Sequence, residues 1–321
     1  MKKPGCFIAV DAGTTNTRVW LMNDGLPVAH ANAMVGVRDT ARDGNNRKLV
    51  ETLRQLIESV RAQAPEPQPE CIAAAGMITS PLGLREVPHV VAPADAAMIA
   101  RQAWRGVMAE VSTLPMILFG GVRSGELQSD DWASSDVMRG EETLCLGMNY
   151  PAPFTVLNLG SHWKVIEVEE LGRIARSRTS LSGELILATQ TTTILASALP
   201  NDKLLQLDSE WFKKGSDEFR KSGLARALFC VRLLELQGKT SPEQRMSFLL
   251  GVYVASDLAA LCESGWLTPE RRVLLTGSGA VIEAWEATLA NVEISRELIS
   301  PEKIEASFLR GIGLLLVVQG A

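Results

Sequence analysis

The stretch CFIAVDAGTTNTRVWLM, residues 6–22, decides how this chain is read. Apolar CFIAV ends at Asp11, the turn formers Gly13, Thr14, Thr15 and Asn16 follow, and TRVWLM resumes an extended pattern. This spacing predicts a β-hairpin with polar groups at its tip. A strand that delivers a carboxylate into a Gly-Thr-Thr turn puts backbone N–H groups, hydroxyls and Asp11 at one spot. Phosphates are met by the first two and their Mg²⁺ by the third. The same residue types also favour ordinary turns, so the hairpin needs an independent second signal.

That signal comes in the second half of the chain. Apolar FTVLNL, a Gly160-Ser161-His162-Trp163 turn and a returning KVIEVE repeat the opening pattern. Asn158 stands for Asp11, Gly160 for Gly13 and Ser161 for Thr14, each pair 147 residues apart. A strand-Gly-Ser/Thr-strand unit opening each half is the trace of an internal duplication. Two such hairpins are expected to clamp the β- and γ-phosphates of ATP. A third segment, VLLTGSG (273–279), is a strand opening into Gly277, Ser278 and Gly279 before a helix from Ala280. Small residues there let the backbone approach an adenosine, and a helix N-terminus favours phosphate. Walker A spacing is absent, and Ile282 stands where the third glycine of G-x-G-x-x-G would be, so a dehydrogenase reading loses its main support.

Between these landmarks the pattern alternates as in an α/β protein. Leu49, Val50, Leu53, Leu56, Ile57 and Val60 recur at helical spacing over 47–61, and the proline-rich 64–70 ends that helix. CIAAAGM (71–77) reads as a buried strand, 116–119 as another, and a glycine-rich acidic loop runs to Asp136. VMRGEETLCLGM (137–148) reads as a loop feeding a helix, and a domain junction fits 150–153. A helical stretch follows Ser182-Gly183, Ser241-Pro242-Glu243-Gln244 carries a capping box, and the last helix begins near Pro301. The expected division is a first domain at 1–150, with the first hairpin and a substrate segment, and a second at 151–321. The second carries the other hairpin and the adenosine loop, its last helix free to pack back on the first.

With 321 residues, 46% hydrophobic, the chain is long enough for two domains. The net charge of −5 gives no broad basic surface for nucleic acid, so an anionic substrate must be met by local arginines. The five scattered cysteines lack pairing or zinc spacing and are expected to be reduced and mostly buried. Lys2 and Lys3 lead to Asp11 without a leader-like apolar run, and 314–318 cannot span a bilayer, so the expectation is a cytoplasmic protein with no membrane partner.

VDAGTTNTRVW, VMRGEET, LGSHWKV, RTSLSGEL and EASFLRGIG together resemble the 2-keto-3-deoxygalactonate kinase family over essentially the whole chain. The first hairpin alone would suit any sugar kinase, actin or chaperone ATPase of that superfamily; RGEET followed by the second hairpin is the more specific sign. The resemblance implies an α/β fold of two ribonuclease-H-like domains of the actin-like ATPase type, with the active site in an interdomain cleft. It also implies Mg²⁺ and ATP as cofactors, and phosphoryl transfer to a six-carbon keto-deoxy acid, giving the 6-phosphate.

Glu141 is the candidate general base, since a base that takes a hydroxyl proton late in a loose transition state can be an ordinary carboxylate. Glu142 is its rival and a candidate substrate contact. Many related sugar kinases have aspartate after the glycine where this chain has Gly140-Glu141-Glu142, and near the final helix Glu305 stands where aspartate is more usual. Both glutamates also suit a helix N-terminus on dipole grounds alone. Arg139 is the first candidate for the substrate carboxylate and Arg178 the second. His162, Ser80 and Glu184 are further substrate-side candidates, and Lys164 is a phosphate-neutralising one. Asp11 is the metal-side carboxylate, and Gly13, Thr14, Thr15, Asn16, Gly160, Ser161, Gly277, Ser278 and Gly279 form the nucleotide set. Alternatives are a kinase of another sugar or keto-deoxy acid, such as the gluconate epimer, or a nucleotide-switched actin-like binding protein. A homodimer is left open as the assembly.

Overall fold

The computed structural model describes residues 5–126 and 130–319. Lys2, Lys3, positions 127–129 of the acidic loop and the last two residues lie outside the described residues.

The opening hairpin forms as β1 (Phe7–Ala12) and β2 (Thr17–Asn23), antiparallel, with Asp11 opposite Arg18. The chain then turns through Asp24 and Gly25, with φ of 49° and 82°, into β3 (Leu26–Ala33). An Asp-Gly pair at positive φ gives the two-residue turn whose twist suits a hairpin. This strand escapes the hydrophobic pattern because most of its side chains are exposed. Next come α1 (Val37–Asp43), α2 (Arg47–Gln63), β4 (Ile72–Gly76), β5 (Val90–Val91), α3 (Ala96–Gln102), β6 (Trp104–Met108), β7 (Ser112–Leu118), β8 (Val122–Ser124), β9 (Asp136–Met138) and α4 (Glu141–Gly147). Leu49, Leu53, Leu56, Ile57 and Val60 of α2 are buried, the expected apolar face.

The later elements are β10 (Phe154–Leu159), β11 (Trp163–Glu169), β12 (Arg173–Ser180), α5 (Ser182–Thr192), α6 (Ser209–Ser222), α7 (Leu224–Gln237), α8 (Pro242–Glu263), β13 (Arg272–Thr276), α9 (Ala280–Asn291), β14 (Arg296–Leu298) and α10 (Pro301–Gln319). The Ser241 hydroxyl accepts the Gln244 N–H while the Gln244 side chain accepts that of Ser241, so the capping box forms. By length and composition α8 could cross a membrane, but most of it is buried in a core that includes Trp163 and Trp285, packed edge to face at 5.6 Å.

Two main sheets run β3-β2-β1-β4-β7-β6 and β12-β11-β10-β13-β14. In each, the first hairpin strand is central, flanked by its hairpin partners on one side and by parallel strands on the other, with antiparallel β6 at the edge of the first sheet. A small sheet β5-β8-β9 joins the first set.

The chain groups into two compact units. The first holds residues up to Ala152, Val168–Ser177 and the chain from Glu302 onward; the second holds Pro153–Glu167 and Arg178–Pro301. The return of 168–177 to the first unit has local causes. Ala94 and Ile174 exchange both backbone hydrogen bonds, at 2.9 and 2.8 Å, and the Ser177 hydroxyl donates to Asp136 at 2.6 Å. Helix α10 belongs there through close contact with α4: a Cβ on Gly147 would lie 1.8 Å from the Ser307 carbonyl oxygen, and one on Gly311 2.0 Å from that of Thr143. All five cysteines are free; Cys6 and Cys145 are buried, Cys71 and Cys230 half-buried, and Cys262 exposed, so burial is less general than expected.

Candidate active site

In the first unit, the hairpin turn is braced from behind. Gly13 N–H donates to Asn16 O at 2.8 Å, and the first N–H groups of α1, from Val37 and Arg38, donate to the carbonyls of Gly13 and Thr14 at 3.2 and 2.9 Å. Gly36 lies against those carbonyls so tightly that a Cβ would stand 2.5 Å from Thr14 O. With the turn's carbonyls used, the amides of Thr14 and Thr15 have no protein partner among the described residues. A hollow of 320 Å³ lies over this turn, lined by Asp11, Gly13, Thr14, Thr15, Asn16, Arg18 and Asn32. Donor amides, hydroxyls and one carboxylate around a hollow of that size suit a phosphate group.

Asp11 accepts from Arg18 at 2.5 Å. Burial pushes its carboxyl above the ordinary value, while the Arg18 charge and hydrogen bond pull the other way. Arg18 itself lies over the buried Trp20, whose ring meets Phe308 of α10 at 6.0 Å.

Beside Asp11 the end of β4 and the start of α4 converge. Gly76 takes φ of 92°, and a Cβ there would lie 2.8 Å from Ala12 O and 3.2 Å from Asp11 Oδ1. Gly140, at φ of 109°, stacks on Gly76 with its would-be Cβ 3.2 Å from the Gly76 Cα. Two glycines are needed here because both backbones adopt left-handed angles and no side chain fits between them. Glu141 therefore leaves the chain next to the strand end that carries Asp11. It is half-buried and makes no hydrogen bond among the described residues.

Glu142 departs from the role of substrate contact. It has no solvent exposure, and both its carboxylate oxygens accept the Gly140 N–H at 2.8 Å. Burial and the neighbouring Glu141 charge push its carboxyl up to about 8, with the Gly140 bond and Arg139 acting against that shift. Ser80 is likewise turned inward, donating its hydroxyl to Met77 O at 2.7 Å. Arg139 is partly committed: one guanidinium nitrogen donates to Thr79 O at 2.8 Å and Thr79 Oγ1 at 3.0 Å, and the other lies 3.4 Å from His89 Nδ1. Burial holds its pKa below the usual arginine value. Thr79 and His89 were not named singly, but they lie in the stretches 76–80 and 88–93 that resemble the family's substrate side, and RGEET marks the same corner.

In the second unit the other hairpin is braced in the same way. A Cβ on Gly183, at the start of α5, would lie 2.4 Å from Ser161 O and 2.6 Å from Gly160 O. Asn158, the counterpart of Asp11, accepts from Thr276 at 3.1 Å. Gly277 crosses over Leu159 at φ of 150°, and Ser278 and Gly279 are exposed at the N-terminus of α9. His162 and Glu184 meet each other, Nε2 to Oε1 at 3.4 Å. Lys164 does not stand free as a phosphate cation: it is buried and donates to Thr179. Arg178 donates to Ser264 at 2.7 Å in an exposed bond and lines a 260 Å³ hollow with Asp257, Trp163 and Trp285 of the same unit.

The profile of the 2-keto-3-deoxy-galactonokinase family matches residues 11–312. A Rhizobium meliloti protein named a probable 2-dehydro-3-deoxygalactonokinase is 28% identical over 88% of this chain and 88% of its own length. The 2-dehydro-3-deoxygalactonokinase of Escherichia coli is 26% identical over 79% of this chain and 80% of its own. Among solved structures, a protein from Sinorhizobium meliloti bearing the same enzyme name superposes with a TM-score of 0.78 at 22% identity, covering 95% of each chain. An ADPNP-bound activator of 2-hydroxyisocaproyl-CoA dehydratase from Clostridium difficile superposes with 0.51 at 10% identity, covering 98% and 96%. The fold is the actin-like α/β fold, and this chain belongs to the 2-keto-3-deoxy-galactonokinase family.

Proposed function

We propose that this chain transfers the terminal phosphoryl group of ATP to 2-keto-3-deoxygalactonate, giving its 6-phosphate. The observation that carries this reading is the corner in the first unit where Asp11, Gly76, Gly140 and Glu141 meet. It joins a phosphate cradle to a carboxylate without a protein partner, which is what transfer to a hydroxyl needs. The amides and hydroxyls of residues 13–16 hold phosphate oxygens. Glu141 accepts the acceptor hydroxyl's proton, and a loose transition state asks little more of a base. Residues 160–161 and 277–279 of the second unit are the remaining nucleotide contacts in this proposal.

Mg²⁺ fits the donor set. No group of three acidic, histidine or cysteine side chains suited to a metal occurs among the described residues, and Mg²⁺ in such sites rests on one or two carboxylates plus waters and phosphates. Asp11 is the carboxylate that would hold it, and the ion would neutralise charge across the β- and γ-phosphates. An ATP-consuming kinase works where ATP is held, so the cytoplasm is the compartment proposed. For the sugar acid, Arg139 is the preferred carboxylate partner through whatever donor capacity Thr79 and His89 leave it.

The test is coupled ATP consumption over a panel of the galactonate and gluconate keto-deoxy acids, simple sugars and a control lacking acceptor. The galactonate-derived acid should give the highest kcat/KM. Equal turnover with and without acceptor would reject the kinase reading.

A further inference from the structure

We propose that Glu142 is a positioning residue for the phosphoryl-transfer base: by holding the Gly140 amide with both carboxylate oxygens, it sets the corner from which Glu141 leaves the chain. This rests on the reading of Glu141 as the base. An acidic side chain that merely caps a helix sits in water, where its charge costs nothing to keep. Glu142 has no exposure at all, on a helix of seven residues, and both its carboxylate oxygens accept the Gly140 N–H that α4 itself leaves unbonded, with the Thr143 hydroxyl as a longer donor at 3.4 Å. Gly140 in turn lies in contact with Gly76, which touches Asp11, so a small slip of the Gly140 amide moves Glu141 against the metal-side carboxylate. A displacement of that size is costly when a base must meet a hydroxyl at hydrogen-bond distance.

The hydrogen-bond pattern belongs to the ionised carboxylate, because the Gly140 N–H is shared equally by both oxygens, an arrangement that protonating either one would upset. The charged and titratable groups around Glu142 are Glu141 and Cys145 on its own helix and Arg139 before it with Glu86 beyond; on α10, packed against α4, Arg310 is committed to Gly147 O and Ser307. Burial and the Glu141 charge raise Glu142 to about 8. The competent, ionised form is therefore gained as pH rises through that region.

The test is kcat for wild type, Glu142→Gln and Glu142→Asp between pH 6 and 9.5, at saturating ATP and sugar acid. Wild type should show a rise with an inflection near 8. Glu142→Gln should lose that inflection and turn over about tenfold more slowly, with both KM values within about twofold of wild type, because one bond to a positioning group is weakened while binding groups stay. Glu142→Asp, too short to reach with both oxygens, should keep an inflection at reduced kcat. A wild-type profile flat between pH 7 and 9 overturns the proposal without any variant. So does a Glu142→Gln enzyme that keeps the inflection or the wild-type rate, or a parallel rise in both KM values. Failure of the base reading is separate: it shows as full activity in Glu141→Gln, whatever Glu142 does.

Discussion

Gly36 and Gly183 occupy equivalent places in the two halves: a Cβ on the first would stand 2.5 Å from Thr14 O, and on the second 2.4 Å from Ser161 O. They are 147 residues apart, the same offset that relates Asp11 to Asn158 and Gly13 to Gly160. Each lets the segment that starts the following helix lie directly against a hairpin turn. Gly36→Ala or Gly183→Ala should force that segment back. The cost should be about 1–3 kcal/mol of stability, the usual penalty for overpacking, together with a several-fold rise in KM for ATP. Thermal denaturation and ATP titration check both; an alanine enzyme with wild-type KM for ATP would show that the bracing does not reach the nucleotide.

Asp11→Asn should lower kcat by about 10²-fold or more, since the metal-side charge is lost from a site preorganised around it. Stability should change by less than about 1 kcal/mol, because the Arg18 partner is 46% exposed and readily solvated. Added Mg²⁺ should recover part of the rate. Wild-type turnover in the variant would remove Asp11 from metal binding.

Glu141→Gln keeps size and removes the basic oxygen. Turnover should fall roughly 10²- to 10⁴-fold, the worth of a positioned general base, with a stability loss no greater than about 1 kcal/mol. Steady-state rates and a melting curve on the same preparation separate the two effects; small changes in both would leave Glu141 as a helix-end charge only.

Arg139→Lys gives up the paired donation to Thr79 O and Oγ1. A hydrogen bond from a charged donor contributes about 1.5–3 kcal/mol, so melting should fall by several degrees. KM for the sugar acid should rise more than KM for ATP, because lysine lacks the bidentate fork. Equal increases in the two KM values would mark Arg139 as a purely structural tie between Thr79 and the Gly140 corner.

The raised pKa of Glu142 also sets a stability trend. Folding favours its protonated form, so the stabilising contribution is complete below the unfolded-state value near 4.3 and is lost as pH rises to about 8. Wild-type melting temperature should therefore decline from mildly acidic to alkaline pH, and Glu142→Gln should flatten the decline and melt higher than wild type at pH 9. Superimposable melting profiles for the two proteins would argue that Glu142 is ionised throughout.

Much of the architecture was legible along the chain because hairpins, capping boxes and amphipathic helices are local. The two Gly-Ser/Thr turns, the α2 face, the Ser241 box and the strand ending at Gly76 all follow from neighbours within a few residues. Strand β3 could have been found too, from Asp24-Gly25, had turn chemistry been weighed above its exposed composition. The roles of charged side chains were a different matter, since they depend on partners distant in sequence. Glu141 and Glu142 are adjacent and chemically alike, yet one carries no hydrogen bond and the other is sealed inside on the Gly140 amide. Lys164, Arg178 and Arg139 read alike as anion receptors, but Thr179, Ser264 and Thr79 claim their donors. Sequence alone determined which segments fold and which residue types gather near the turns. Only tertiary packing decided which of those charges are spent inside the protein, because desolvation and hydrogen-bond geometry arise from groups that the chain brings together late.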